Sequence, residues 1–166
     1  MRLAVGSDRE PPDHAPNYLG LRSGCNGGRQ TVENRYRTLV AVQLGAWKRL
    51  HAILDPLVDL VPVHTTQEAL QVLDQQRIDL IICTIAFDDS RMIDFLQAVK
   101  RKVPAGAIPF ICARVLPGVL PERMVQTTAM VCVQCGAATF VDLAKLDDDK
   151  AQDVLAAALT SCLARK

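Results

Sequence analysis

The chain has 166 residues, room for one domain of ordinary size and too few for two. Apolar residues make up 49% and charged residues 22%, so a sizeable core can be buried. Lys+Arg 19 against Asp+Glu 18 leaves a net charge of +1, which gives no electrostatic case for nucleic acid or an anionic membrane as partner. No apolar run approaches the ~20 residues of a membrane span. Residues 1–5 are too short for the core of a signal peptide. A cytoplasmic protein is the expectation.

Residues 1–36 differ from the rest. They hold Pro11, Pro12, Pro16 and several glycines, with many charges and no sustained period, and read as a flexible N-terminal tail. Tyr18, Leu19 and Leu21 form the tail's only apolar patch. From residue 37 to residue 166 the chain alternates between two kinds of segment. Leu39, Val40, Ala41 and Val42 suit a strand buried on both faces, and Trp47, Leu50, Leu54 and Leu57 follow at helical spacing. Residues 58–63 read as a second strand, placed at a sheet edge because Pro62 cannot donate to a ladder. Thr65 and Glu68 form a capping box ahead of a helical face of Ala69, Leu70, Val72 and Leu73. Residues 78–85 are the strongest strand. Ser90 is read as the cap of a third helix carrying Ile93, Leu96 and Val99.

Residues 108–115 give a fourth strand, and Pro121 opens a helix that runs to about Gln134 and stops at Gly136. Residues 139–143 give a fifth strand. Asp147, Asp148 and Asp149 open the last helix, where negative charge meets the positive end of the dipole. Five strand–helix units imply an α/β fold with a doubly wound parallel sheet. With right-handed crossovers and the second strand at an edge, the predicted order is 2-1-3-4-5, the flavodoxin-like arrangement.

Ile78, Asp79, Leu80, Ile81 and Ile82, then Ile108, Pro109, Phe110 and Ile111, then Gly136 and Ala137 carry a pattern that resembles the CheY-like receiver domain of bacterial response regulators. The resemblance covers residues 37–166 and implies a signalling role in two-component systems. It also implies where chemistry would sit. An active receiver has an acidic pair after the first strand for Mg²⁺, an Asp ending the third strand as phosphoacceptor, a Ser or Thr after the fourth and a Lys after the fifth. Those places fall here on Gln43 and Leu44, on Thr84, on Arg114 and on Leu143. Without these carboxylates an Mg²⁺ site lacks its hard oxygen ligands. The resemblance is therefore to a degenerate, or pseudo-, receiver with no catalytic residue, no metal and no cofactor.

Asp88 and Asp89, just past Thr84, would supply an acceptor only in a shifted register and read more simply as loop acids. Arg114 is expected either to bind an anion or to pair with Asp88 or Asp89 and fill the pocket. The resemblance places a partner or homodimer surface on the fourth helix, fifth strand and fifth helix, which points to Met124, Val125, Thr139, Val141, Asp142, Lys150 and Ala151. The chain stops at its last helix, so no output domain is expected after it.

Phosphorylation-independent protein–protein binding is thus the leading functional reading. Two others stay open. Cys132 and Cys135 form a CxxC pair, which would make the chain a thiol oxidoreductase. Their place at a helix C-terminus argues against it, because the dipole there disfavours a thiolate. A small-anion sensor would use the pocket around Gln43, Thr84 and Arg114. Cys83 and Cys112 lie in apolar strands, where free Cys acts as a small buried hydrophobe.

Overall fold

A computed structural model describes residues 35–104 and 107–164. The predicted tail therefore lies almost wholly outside the described residues. Five strands, β1 (Arg37–Ala41), β2 (Asp59–Val63), β3 (Leu80–Thr84), β4 (Phe110–Arg114) and β5 (Thr139–Asp142), alternate with α1 (Leu44–Leu54), α2 (Thr66–Gln75), α3 (Met92–Lys102), α4 (Glu122–Gln134) and α5 (Asp148–Leu163). All pairings are parallel and the order is β2-β1-β3-β4-β5. This is the flavodoxin/CheY-like (βα)5 fold that the alternation implies.

Burial explains the order. β3 and β4 are buried along their whole length and β1 after its first residue, as central parallel strands covered on both faces must be. β2 and β5 are only partly buried and form the edges. Pro62 stands opposite Val40 on the outermost strand, where its missing N–H leaves no central ladder incomplete.

Alternation along each strand divides the core. Val40, Ile82, Ile111 and Ala113 face α1 and α5 and pack on Leu50, Leu54, Leu155 and Leu159. Leu39, Ile81, Phe110 and Cys112 face the opposite layer and pack on Ala69, Phe95, Leu96 and Cys132.

Helix ends follow the sequence with two departures. Thr65 Oγ1 accepts from Glu68 N at 3.2 Å, but Glu68 reaches one residue further back than a capping box requires, to His64 N at 2.8 Å. Ser90 does not cap α3. Arg91 does, without a side-chain bond, because Asp88, Asp89 and Ser90 take three successive left-handed conformations (φ 46°, 56° and 68°) that turn the chain out of β3. α4 ends as expected at Gly136 (φ 99°). Ala137 N donates to Cys132 O and Gly136 N to Val133 O, a Schellman closure. Asp147 Oδ1 accepts from Lys150 N at the start of α5.

Candidate functional site

The carboxyl ends of the strands in this topology open onto one edge, where open α/β sheets place ligand sites. Gln43 is the N-cap residue of α1 and makes no side-chain capping bond. Leu44, the first residue of α1, is 75% exposed. Thr84 ends β3 at 2% exposure, and its hydroxyl has only a long contact, 3.5 Å, to Ala41 O. Leu143 follows β5 and is fully buried among residues of the α1/α5 core.

These positions do not assemble an anion site. Gln43 and Thr84 do meet, with Ala46, Ile85, Ala86, Val115, Leu116 and Val119, around a cavity of about 10 Å³. That is about one water's worth of room. No carboxylate and no cation lines it. Asp88 lies elsewhere: its carboxylate accepts from Thr66 N at 3.1 Å, at the positive end of α2. The Thr66 hydroxyl and N–H hold the Asp88 carboxyl below its ordinary range. Among the described residues, no group of three or more His, Cys, Asp or Glu side chains is placed to hold a metal ion.

Arg114 departs from the expected pairing. Its side chain, 1% exposed, turns to the α4 face of the sheet and meets neither Asp88 nor Asp89. Nη2 lies 2.5 Å from Glu122 Oε1 and Nη1 lies 3.0 Å from Asp142 Oδ2. Lys145 Nζ reaches the second oxygen of Glu122 at 2.8 Å. Phe110, Cys112 and Arg114 share the face that α2, α3 and α4 cover. At the end of that face α4 and β5 bring Glu122 and Asp142 to Arg114, while Asp88 is held at Thr66 N. The Arg114 guanidinium and then the Lys145 ammonium hold the Glu122 carboxyl at about 2, against an ordinary 4.5. Glu122 raises the Arg114 value in return. Arg114 Nε–H has no protein partner, so the guanidinium is tied at one end only.

Sequence reasoning missed Glu122, and it missed Arg49. Glu122 carried one usable signal: it is the first-turn acid after Pro121, within one short loop of Arg114. Arg49 carried none. From α1 it donates to Val115 O at 2.7 Å, to Leu146 O at 2.5 Å and to Asp148 Oδ1 at 2.9 Å. One guanidinium thereby joins the ends of the β4–α4 and β5–α5 connections to the first helix.

The expected partner face divides. Met124 and Lys150 are exposed, Lys150 paired with Asp147 at 2.9 Å, and Val125 and Thr139 are half-buried. Val141 and Ala151 instead point into the α1/α5 core, while along β5 Phe140 takes the opposite face and packs on the other core layer. Asp142 is engaged by Arg114. The apolar surface lies further along α4: Met130 is 63% exposed and Val133 52%. With Ala129, Gln134, Thr139 and Phe140 they line an open groove of about 430 Å³ between α4 and β5. Cys132 is buried beneath this helix, and Cys135, its capping residue, is half-buried.

The strand order and the strand–helix alternation define a CheY-like (βα)5 architecture. Solved receiver domains match it. The receiver domain of a putative LuxO repressor protein from Vibrio parahaemolyticus superposes with a TM-score of 0.58 at 21% identity, over 78% of this chain and 93% of that one. A CheY-like receiver domain protein from Methanospirillum hungatei JF-1 gives 0.60 at 12% identity, over 80% and 100%. NtrX from Brucella abortus gives 0.62 at 18% identity over 79% of this chain, which spans only 28% of the NtrX chain. No family model and no curated protein matches the sequence. The likeness is therefore one of fold. No helix among the described residues is long and apolar enough to cross a membrane.

Proposed function

We propose that residues 37–166 form a receiver-like signalling module that works without phosphorylation, by binding a protein partner or a second copy through the α4–β5 groove. Residues 1–36 are a tail to that module, and it acts in the cytoplasm. The observation that carries this reading is the strand-end cavity. It has room for about one water, it is lined without a carboxylate, and the arginine beside it is committed to Glu122 and Asp142. Phosphoryl transfer depends on Mg²⁺ and a cation to neutralise developing charge, and the residues at those places are Gln43, Leu44 and Leu143. The same cavity speaks against the anion-sensor reading, since a phosphate-sized group has no room in it.

Met130 and Val133 give the binding face its chemistry. Exposed apolar side chains grouped along a groove mark interaction surfaces more often than isolated ones do. The test has two parts. Beryllofluoride with Mg²⁺, a mimic of the phosphorylated state, is added while amide shifts at residues 84 and 114 are followed; no change is expected. Partner capture, or self-association by light scattering, is then compared between wild type and Met130→Glu with Val133→Glu. Loss of association in the variant without a phosphodonor supports the reading. Saturable shifts with beryllofluoride, or association indifferent to both substitutions, would sink it.

A further inference from the structure

Four thiols that are scattered in sequence come together under α4. Cys83 and Cys112 are register partners on β3 and β4, and both point to the α4 side. Cys132 comes down onto them from α4, and Cys135 packs on the same cluster from the helix end. Cys83, Cys112 and Cys132 are fully buried, whereas Cys135 is only half-buried. Cys132 is also the one buried side chain of α4, so this helix is seated on the sheet by a sulfur resting on sulfurs.

The pair Cys112–Cys132 is polarised. The two thiols pack in one cluster, and their mutual interaction raises the Cys112 thiol while lowering that of Cys132. In this contact Cys112 holds its proton the more firmly and Cys132 the less. Burial pushes the Cys83 thiol well up, which keeps it inert. The end-of-helix dipole, which opposes a thiolate at Cys132, is met by a thiol from the neighbouring strand that the linear sequence does not reveal.

We propose that Cys132 and Cys135 form an oxidisable pair, in which Cys135 is the point of entry for hydrogen peroxide and Cys132, positioned by Cys112, closes the disulfide. Cys135 sulfur attacks one peroxide oxygen. The O–O bond breaks, an S–O bond forms, and the departing hydroxide takes the thiol proton and leaves as water. The product is a sulfenic acid at Cys135. Cys132 sulfur then attacks Cys135 sulfur. The S–O bond breaks, and hydroxide leaves with the Cys132 proton as a second water. Two thiols lose two electrons and one peroxide becomes two waters.

Residues three apart in a helix share a face, with Cβ atoms about 5–6 Å apart. A disulfide needs about 3.5–4.5 Å. The closing turn must therefore tighten, at the bonds Cys135 N to Val131 O and Ala137 N to Cys132 O. Closure draws Cys132 off Cys112 and so disturbs the seat of the helix that carries Met130 and Val133. The proposal does not depend on the partner-binding reading.

Residues 124–145 form one tryptic peptide holding both cysteines, and residues 103–114 form another holding Cys112. The reduced full chain is treated with hydrogen peroxide, quenched with an alkylating agent and digested without reductant. The expected product is the 124–145 peptide two hydrogens lighter and unalkylated. Cys112→Ala should slow closure roughly tenfold, the effect of losing one hydrogen bond to a charged group, with Cys135 sulfenic acid accumulating and trapped by dimedone. Cys112→Ser keeps a donor and should close at close to the wild-type rate, which decides the matter if the alanine variant does not fold. Cys135→Ser should leave Cys132 reduced. A crosslink between the two peptides, sulfinic acid at Cys135 beside reduced Cys132, oxidation of Cys132 in the Cys135→Ser chain, or equal closure rates with and without the Cys112 donor would each overturn the proposal.

Discussion

Arg114 and Glu122 meet across the β4–α4 connection with Nη2 and Oε1 2.5 Å apart, the guanidinium buried and the carboxylate half in solvent. Together with Asp142 at 3.0 Å and Lys145 at 2.8 Å they join the end of β4, the first turn of α4, the end of β5 and the loop after it. Arg114→Ala should cost about 2–3 kcal/mol. That is below the 3–5 typical of a broken buried pair, because both carboxylates can return to water. Arg114→Met keeps the packing of the long stem and should cost under about 1 kcal/mol. Urea denaturation of the two variants checks this. If alanine proves as harmless as methionine, neither the charge nor the stem of this residue contributes to stability.

Acid should unpick the same network. The Glu122 carboxyl titrates at about 2 in the folded chain against an ordinary 4.5. A folded value below the unfolded one means that its contribution is complete above pH 4.5 and is lost as pH falls towards 2. The stability gap between wild type and Glu122→Gln should therefore be widest at neutral pH and close over that window. Glu122 is half-exposed, so added salt should also narrow the gap at neutral pH. A gap constant with pH and salt would show that the carboxylate is not held by its two cations.

Thr84 stands where the resemblance places a phosphoacceptor, beside a cavity that no cation lines. Thr84→Asp would bury a carboxylate beside a cavity of about 10 Å³ that no cation lines. The expected cost is roughly 2–4 kcal/mol. Thr84→Val should cost under about 1 kcal/mol, because the hydroxyl contact to Ala41 O is already long at 3.5 Å. Thermal unfolding of both variants separates the outcomes. An aspartate tolerated as well as valine would mean that the pocket opens more readily than its packing implies.

The fold was legible because its signals are local and agree with one another. Apolar runs at 39–42, 78–85 and 108–115 mark central strands, Pro62 marks an edge, and Thr65, Gly136 and Asp147 punctuate the helices. Ser90 was misread because a serine before an amphipathic run is ambiguous between cap and turn. Three left-handed residues in succession cannot be read from side-chain type. The site was less legible, since side-chain direction decides it. Arg114 was placed correctly at the end of β4, yet its partners depended on which acids the neighbouring elements bring to it, Glu122 from α4 and Asp142 from β5, while Asp88 turns to Thr66. Val141 and Ala151 came with the partner surface that the resemblance implies, taken as a whole, and in the fold both point into the α1/α5 core. The thiol cluster depends on the β3–β4 register, which sets Cys83 beside Cys112 from 29 positions away, a long-range fact that spacing alone does not carry.

Arg49 offers the plainest test of what spacing cannot show. On α1 it sits between core residues Ala46 and Leu50 and reads as an ordinary solvated arginine. In the fold its three nitrogens reach Val115 O, Leu146 O and Asp148 Oδ1, closing two backbone acceptors in the connections that precede α4 and α5. Both carbonyls lose their protein donor if the guanidinium goes. Water reaches part of this site, since the Arg49 side chain is 21% exposed, so the cost is moderated. Arg49→Ala should destabilise by about 2 kcal/mol, and Arg49→Lys should recover less than half of it, because an ammonium cannot span three acceptors in a fork. Hydrogen exchange should quicken first in the β4–α4 and β5–α5 connections. Loss spread evenly over the sheet, or full rescue by lysine, would show that the residue acts by charge alone and not by bridging those two segments.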